Sequence, residues 1–141
     1  MRNYIALALA IGIFCIVGCA PKISNPEAEK AAIESAQVWL ELVDSEKYAE
    51  SWEEAAEYFK SAISKSKWQG TIQAARKPLG KVISRELRSQ RYTTSLPGAP
   101  DGEYVVIQYK TSFENKKAAI ETITPMLDKD GKWRVSGYYI K

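Results

Sequence analysis

Residues 103–140 alternate apolar and polar side chains with a period of two, and no other stretch limits the possible folds as tightly. Val105, Ile107, Tyr109 and Phe113 share one side of an extended chain, and Tyr104, Gln108 and Lys110 share the other. That is the pattern of a strand with one face on a core and the other mostly in water. Residues 133–140 are rich in aromatic and β-branched side chains, and Asp128-Lys129-Asp130-Gly131-Lys132 before them reads as a hairpin loop with Gly131 at positive φ. Residues 118–127 predict the strand between, confined by Pro125 to an edge or a bulge because proline has no N–H for a ladder. Upstream, residues 81–96 predict a long first strand whose alternation slips near Arg85, the mark of a bulge. The turn-dense Pro97-Gly98-Ala99-Pro100-Asp101-Gly102 then leads into the strand described first.

The first half of the domain has the other periodicity. Asn25-Pro26-Glu27 opens a helix: asparagine caps, proline has the right φ for the first turn, and Glu27 and Glu29 suit the positive end of the dipole. Ala32, Ala36, Trp39, Leu40 and Val43 follow as one apolar stripe that needs a sheet to cover it. Residues 48–60 predict a second helix burying Trp52, Ala55, Ala56 and Phe59, with Ser51 and Glu54 at capping-box spacing and a bend at Ser51. Residues 64–76 predict a third, with Trp68, Ile72 and Ala75 inward and Pro78-Leu79-Gly80 as its stop. Three helices and then a four-stranded antiparallel sheet make an α+β domain over residues 26–141.

The chain before that domain has a different character. Arg2 precedes an apolar run of 15 residues, 4–18, too short for the roughly 20 that span a bilayer but suited to a signal peptide, 1–18. Ile16-Val17-Gly18-Cys19 closes it and resembles the lipobox of bacterial lipoproteins. That resemblance implies cleavage before Cys19, a diacylated thiol and a further acyl chain on the amine. Residues 19–25 then form a lipidated cysteine and a tether, with the domain less than about 20 Å from the lipid. Several buried acyl chains, at about 0.8 kcal/mol per CH₂, hold a protein to a membrane without a spanning helix. Ala20 after the cysteine is compatible with the periplasmic face of an outer membrane in a Gram-negative host. Cys15 leaves with the leader, so the mature chain has no partner for a disulfide.

The chemistry search is mostly a list of exclusions. The chain has no histidine, which removes His-based triads and the commonest metal ligand, and lipidation of Cys19 removes thiolate chemistry. Charge is near balance, 20 basic against 17 acidic side chains, and 19 against 17 once Arg2 is cleaved off, which predicts no nucleic-acid partner. Arg85, Arg88 and Arg91 read as a solvated strand face. Asp128, Asp130 and Gly131 form a turn rather than a calcium loop, because Lys132, Trp133 and Arg134 stand where further ligands would be needed. Glu86, Glu103 and Glu121 are the carboxylates placed to serve a pocket, and their expected role is outward pairing with Lys or Arg. Trp39, Trp52, Trp68, Trp133, Tyr48 and Tyr139 make core or line a ligand cavity. No catalytic residue, metal ligand or cofactor is assigned.

Taken together, residues 39–44, Tyr48 with Ser51-Trp52 and Ala55-Ala56, residues 76–80, residues 95–104 and residues 133–139 resemble the bacterial family catalogued as domain of unknown function 4019. Helices first and a curved antiparallel sheet after also resemble the cone of nuclear-transport-factor-two-like, or cystatin-like, proteins. That wider resemblance implies a sheet wrapped round a long first helix, frequent homodimers, and a mixture of enzymes and binding proteins. The narrower family carries no established activity and so no catalytic residue. The expectation is a lipid-anchored envelope domain that binds an unidentified protein or small molecule without catalysis. The alternatives are an enzyme pairing a buried carboxylate with Arg76 or Arg85, and a structural homodimer through a face bearing Tyr104, Tyr138 and Ile140.

Overall fold

The computed structural model describes residues 23–141. The leader and Cys19 lie outside them. Four helices come first: α1 (Pro26–Asp44), α2 (Tyr48–Glu53), α3 (Glu57–Ala62) and α4 (Lys65–Arg76), which runs into a 3-10 turn, Lys77–Leu79. Four strands follow, β1 (Val82–Thr93), β2 (Tyr104–Phe113), β3 (Lys116–Leu127) and β4 (Trp133–Ile140), in one open antiparallel sheet of order β1-β2-β3-β4. The architecture is α+β, and α1 lies across all four strands. Among the described residues no helix is long and apolar enough to cross a membrane.

α1 forms as its sequence dictates. The Asn25 side chain accepts from the Ala28 N–H at 3.2 Å, and Pro26 occupies the first turn. The alanines of its stripe let the helix approach the sheet closely. Trp39, Leu40 and Val43 then bury at about 1.5–3 kcal/mol each. The indole of Trp39 sits 5.8 Å from that of Trp68 and 5.4 Å from the ring of Tyr138, and Phe59 meets Trp68 edge-on at 4.9 Å. Ser51, fully buried, is the polar hinge of this cluster. Its hydroxyl donates to the Tyr48 carbonyl and accepts from Trp68 Nε1 at 2.9 Å, while its carbonyl accepts from Trp39 Nε1 at 2.8 Å.

Ser51 therefore does not start a helix or form a capping box. The expected second helix breaks later, at residues 54–56, where the Ala56 N–H donates to the Val135 carbonyl of β4 at 2.8 Å. That bond to the sheet replaces a helical one, and Ala55 and Ala56 are small enough to be buried there. The third stripe also differs: Ala75 is exposed and Arg76 takes the buried position. In the sheet, Pro125 lies in an interior strand and is accommodated by a bulge, the register slipping between Thr124 and Pro125. β1 slips twice, at residues 82–84 and 87–89, so that two irregularities flank Arg85. Tyr104 is on the outward side of β2 yet 1% exposed, because the 97–102 loop folds over it and Pro100 accepts from its hydroxyl at 2.5 Å.

Gly80 and Gly131 both adopt positive φ, +75° and +80°. A Cβ on Gly80 would stand 2.9 Å from the Glu114 Cβ, whereas nothing lies within 4 Å of one on Gly131. Gly131→Ala carries the positive-φ cost of about 1 kcal/mol, and Gly80, with ψ −160°, lies in a region essentially confined to glycine. Gly80→Ala adds a clash, so urea unfolding is expected to place it a further 1 kcal/mol or more below Gly131→Ala.

Candidate functional site

Where the C-terminal ends of α1 and α4 meet the sheet, every element that forms the domain's core but α2 and α3 sends a polar side chain to one point. Glu121 of β3 is at its centre, 0% exposed. Its register sets this: it stands opposite Tyr109 of β2 and is flanked at two-residue spacing by the buried Ala119 and Ile123. One carboxylate oxygen accepts from Arg85 Nε at 2.7 Å and from the Thr111 hydroxyl at 2.5 Å. The other accepts from Arg85 Nη2 at 3.2 Å and from the Tyr138 hydroxyl. Arg85 continues to Asp44, at 2.7 and 3.0 Å, and Arg76 Nη2 reaches the same carboxylate at 2.9 Å. Arg76 also lies over the ring of Phe113, 5.0 Å from its centroid.

The electrostatics follow from this chain of charges. Burial alone would lift the Asp44 carboxyl, but the bonds and charges of Arg85 and then Arg76 outweigh it and hold the group below the ordinary carboxylate range. Burial alone would ease the proton off Arg85, and its two carboxylate partners more than reverse that. Burial, then the charge and the hydrogen bond of Glu121, keeps Tyr138 protonated far above the ordinary phenol range. Tyr138 therefore keeps its proton at neutral pH and donates a hydrogen bond to Glu121.

Two clefts flank α4 beside this network. One, of about 460 Å³, is mainly apolar and runs between Trp68, Ile72 and Ala75 of α4 and Tyr138, Tyr139 and Ile140 of β4. The other, of about 380 Å³, is polar and lies between Asp44, Tyr48, Arg76, Lys77, Lys81 and Glu114.

The three carboxylates singled out in the sequence separate cleanly. Glu86 is exposed on β1. Glu103 accepts from the Tyr92 hydroxyl at 2.7 Å. Glu121 does not face outward as expected, but it does pair with an arginine across strands. Of the basic trio, Arg88 and Arg91 are exposed, and Arg85 turns inward between its two bulges. Asp128 and Asp130 are both held by Arg134, at 2.9 and 2.8 Å, in a turn. The bond from Arg134, then that from the Lys132 N–H, brings Asp130 down to about 2. Among the described residues no group of three or more His, Cys, Asp or Glu is placed to hold a metal. Of the proposed dimer face, Tyr104 is covered by its loop, Tyr138 points to Glu121, and Ile140 is half-buried opposite Glu121, where it lines the apolar cleft. Trp39 and Trp68 are core, Tyr48, Trp52 and Trp133 are partly buried against it, and Tyr139 is 54% exposed.

A family model described as "Protein of unknown function (DUF4019)" matches residues 35–138. The chain belongs to the DUF4019 family. No curated protein matches it. The matched span encloses Asp44, Arg76, Arg85, Thr111, Glu121 and Tyr138, so the whole network lies within the DUF4019 region of the chain. Sequence reading missed Asp44 and Thr111 altogether. Thr111 had a signal, since it falls on the inward period of β2 between Tyr109 and Phe113.

Two outcomes are expected. Glu121→Gln leaves the partly buried Arg85 with one carboxylate partner in place of two and puts an amide among the four donors, which lowers stability by about 3 kcal/mol in urea unfolding. Asp44 sits below its unfolded value of 3.8, so its contribution is complete above that pH and is lost as pH falls toward the folded value. Unfolding midpoints measured down to about pH 2.5 should fall less steeply in Asp44→Asn than in the wild type.

Proposed function

We propose that this DUF4019 chain is a lipid-anchored binding module of the bacterial cell envelope, held by Cys19 and built as a nuclear-transport-factor-two-like cone. The leader and the Ile16-Val17-Gly18-Cys19 tetrapeptide support the anchor. Binding without catalysis rests on one observation: the carboxylate inside the domain is saturated. A carboxylate has about four lone-pair positions, and Glu121 receives four donors. A general base or nucleophile needs a free lone pair within reach of substrate, and Glu121 offers none. The two clefts beside the network offer space for a ligand, among side chains that suit recognition rather than proton transfer.

The anchor is tested on the full chain expressed in its host. The wild type should sediment with membranes, and its N-terminal peptide should begin at Cys19 with the added mass of acyl chains. Cys19→Ser should move to the soluble fraction. Membrane association undiminished in the variant, or an N-terminal peptide without acyl mass, would overturn the reading.

A further inference from the structure

The network balances in charge, Arg76 and Arg85 against Asp44 and Glu121, but not in hydrogen-bonding capacity. Two guanidiniums bring five N–H donors each, and two carboxylates offer about four lone-pair positions each. Thr111 and Tyr138 take two of those positions on Glu121. The shortfall appears at Arg76. The residue is 6% exposed, Nη2 is bonded to Asp44, and Nε and Nη1 are buried without any partner. Unmet donors on a buried cation are unfavourable, and the face of Phe113 offsets only part of that cost. What is missing is an acceptor; a cation or another donor would worsen the mismatch.

Arg76 also lines the polar cleft of about 380 Å³. Three acids line that cleft and none bonds to Arg76 Nε or Nη1: Asp44 is shared between two arginines, Glu114 Oε1 accepts from the Lys81 N–H at 2.8 Å, and Glu46 is exposed. Lys77, Lys81 and the Tyr48 hydroxyl add donors at its edge. Burial, with the charge of Glu46 next, keeps that hydroxyl protonated. We infer that this cleft takes a small molecule bearing a carboxylate or phosphate group, an oxygen of which accepts from Arg76.

This rests on the reading of the chain as a binding module and names the chemistry of its ligand. The two helix C-termini that meet here add partial negative charge. Attraction thus comes from unmet donors and not from a net field, and half-saturation by a simple ion is expected on the order of a millimolar.

The test uses the purified full-length chain in detergent, titrated separately with acetate and with inorganic phosphate against chloride at constant ionic strength. The Arg76 Nε–H cross-peak and the unfolding midpoint should respond saturably to at least one of them. Acetate alone marks a carboxylate ligand, phosphate alone a phosphate one, and both the shared oxyanion chemistry. Arg76→Lys should weaken the response at least about ten-fold, and Lys81→Gln, an exposed position that decides the matter if Arg76→Lys does not fold, about two- to three-fold. No saturable response to either ion, as when internal water completes the guanidinium, overturns the inference, and so does an equal response in wild type and variants. A null titration alongside release of Cys19→Ser from membranes would remove the oxyanion site and leave the anchored module standing.

Discussion

A carboxylate with no access to water is the constraint around which this domain is arranged. Leaving Glu121 charged and unpaired at full burial would cost several kcal/mol after relaxation, enough to offset much of a small domain's stability. Its partners come from β1, β2 and β4, and the second carboxylate, Asp44, brings α1 and, through Arg76, α4 into the same cluster. Six of the eight regular elements thus have their register fixed by one group of side chains. A slip of one residue in β3 would turn Glu121 to water and strand Arg85.

The two irregularities of β1 make sense in this light. A strand with unbroken alternation over residues 82–93 would not bring Arg85 inward together with both Val82 and Tyr92, which stand opposite the buried Phe113 and Val105. The register slips before and after Arg85 let it meet Glu121 without moving the ends of the strand. Pro125 plays the complementary part on β3, where its bulge falls beyond Ile123 and so leaves the pairing around Glu121 intact.

Much of this was legible in the sequence. The cap and stripe of α1, the limits of β4, the Gly131 turn and the inward set of β2 all stand where local pattern put them. In each, one physical rule dominates: helical spacing, alternation, or a left-handed glycine. The site was hidden because two rules conflicted there. Period two places Glu121 inward with Ala119 and Ile123, the polarity of glutamate argues for water, and only donors from three other strands let the period prevail. At Arg76 the same conflict made Ala75 look like the buried residue. The break at residues 54–56 had no local signal at all, because it depends on a bond from Ala56 to Val135, 79 positions away.

The place of the network along α1 bears on what such a module can reach. The helix has 19 residues and so runs about 28 Å from the end where the tether enters, at Asn25, to Asp44. With the anchor proposed at Cys19, the polar cleft lies at the far end of that rod from the lipid. On that proposal acyl chains and cleft would do separate work: the first would fix the domain to a surface, and the second would open toward the aqueous side. A ligand that meets Arg76 need not enter the bilayer to do so, and a small polar oxyanion, soluble and diffusing in that aqueous layer, is the kind of molecule that both the position of the cleft and the unmet donors of Arg76 favour.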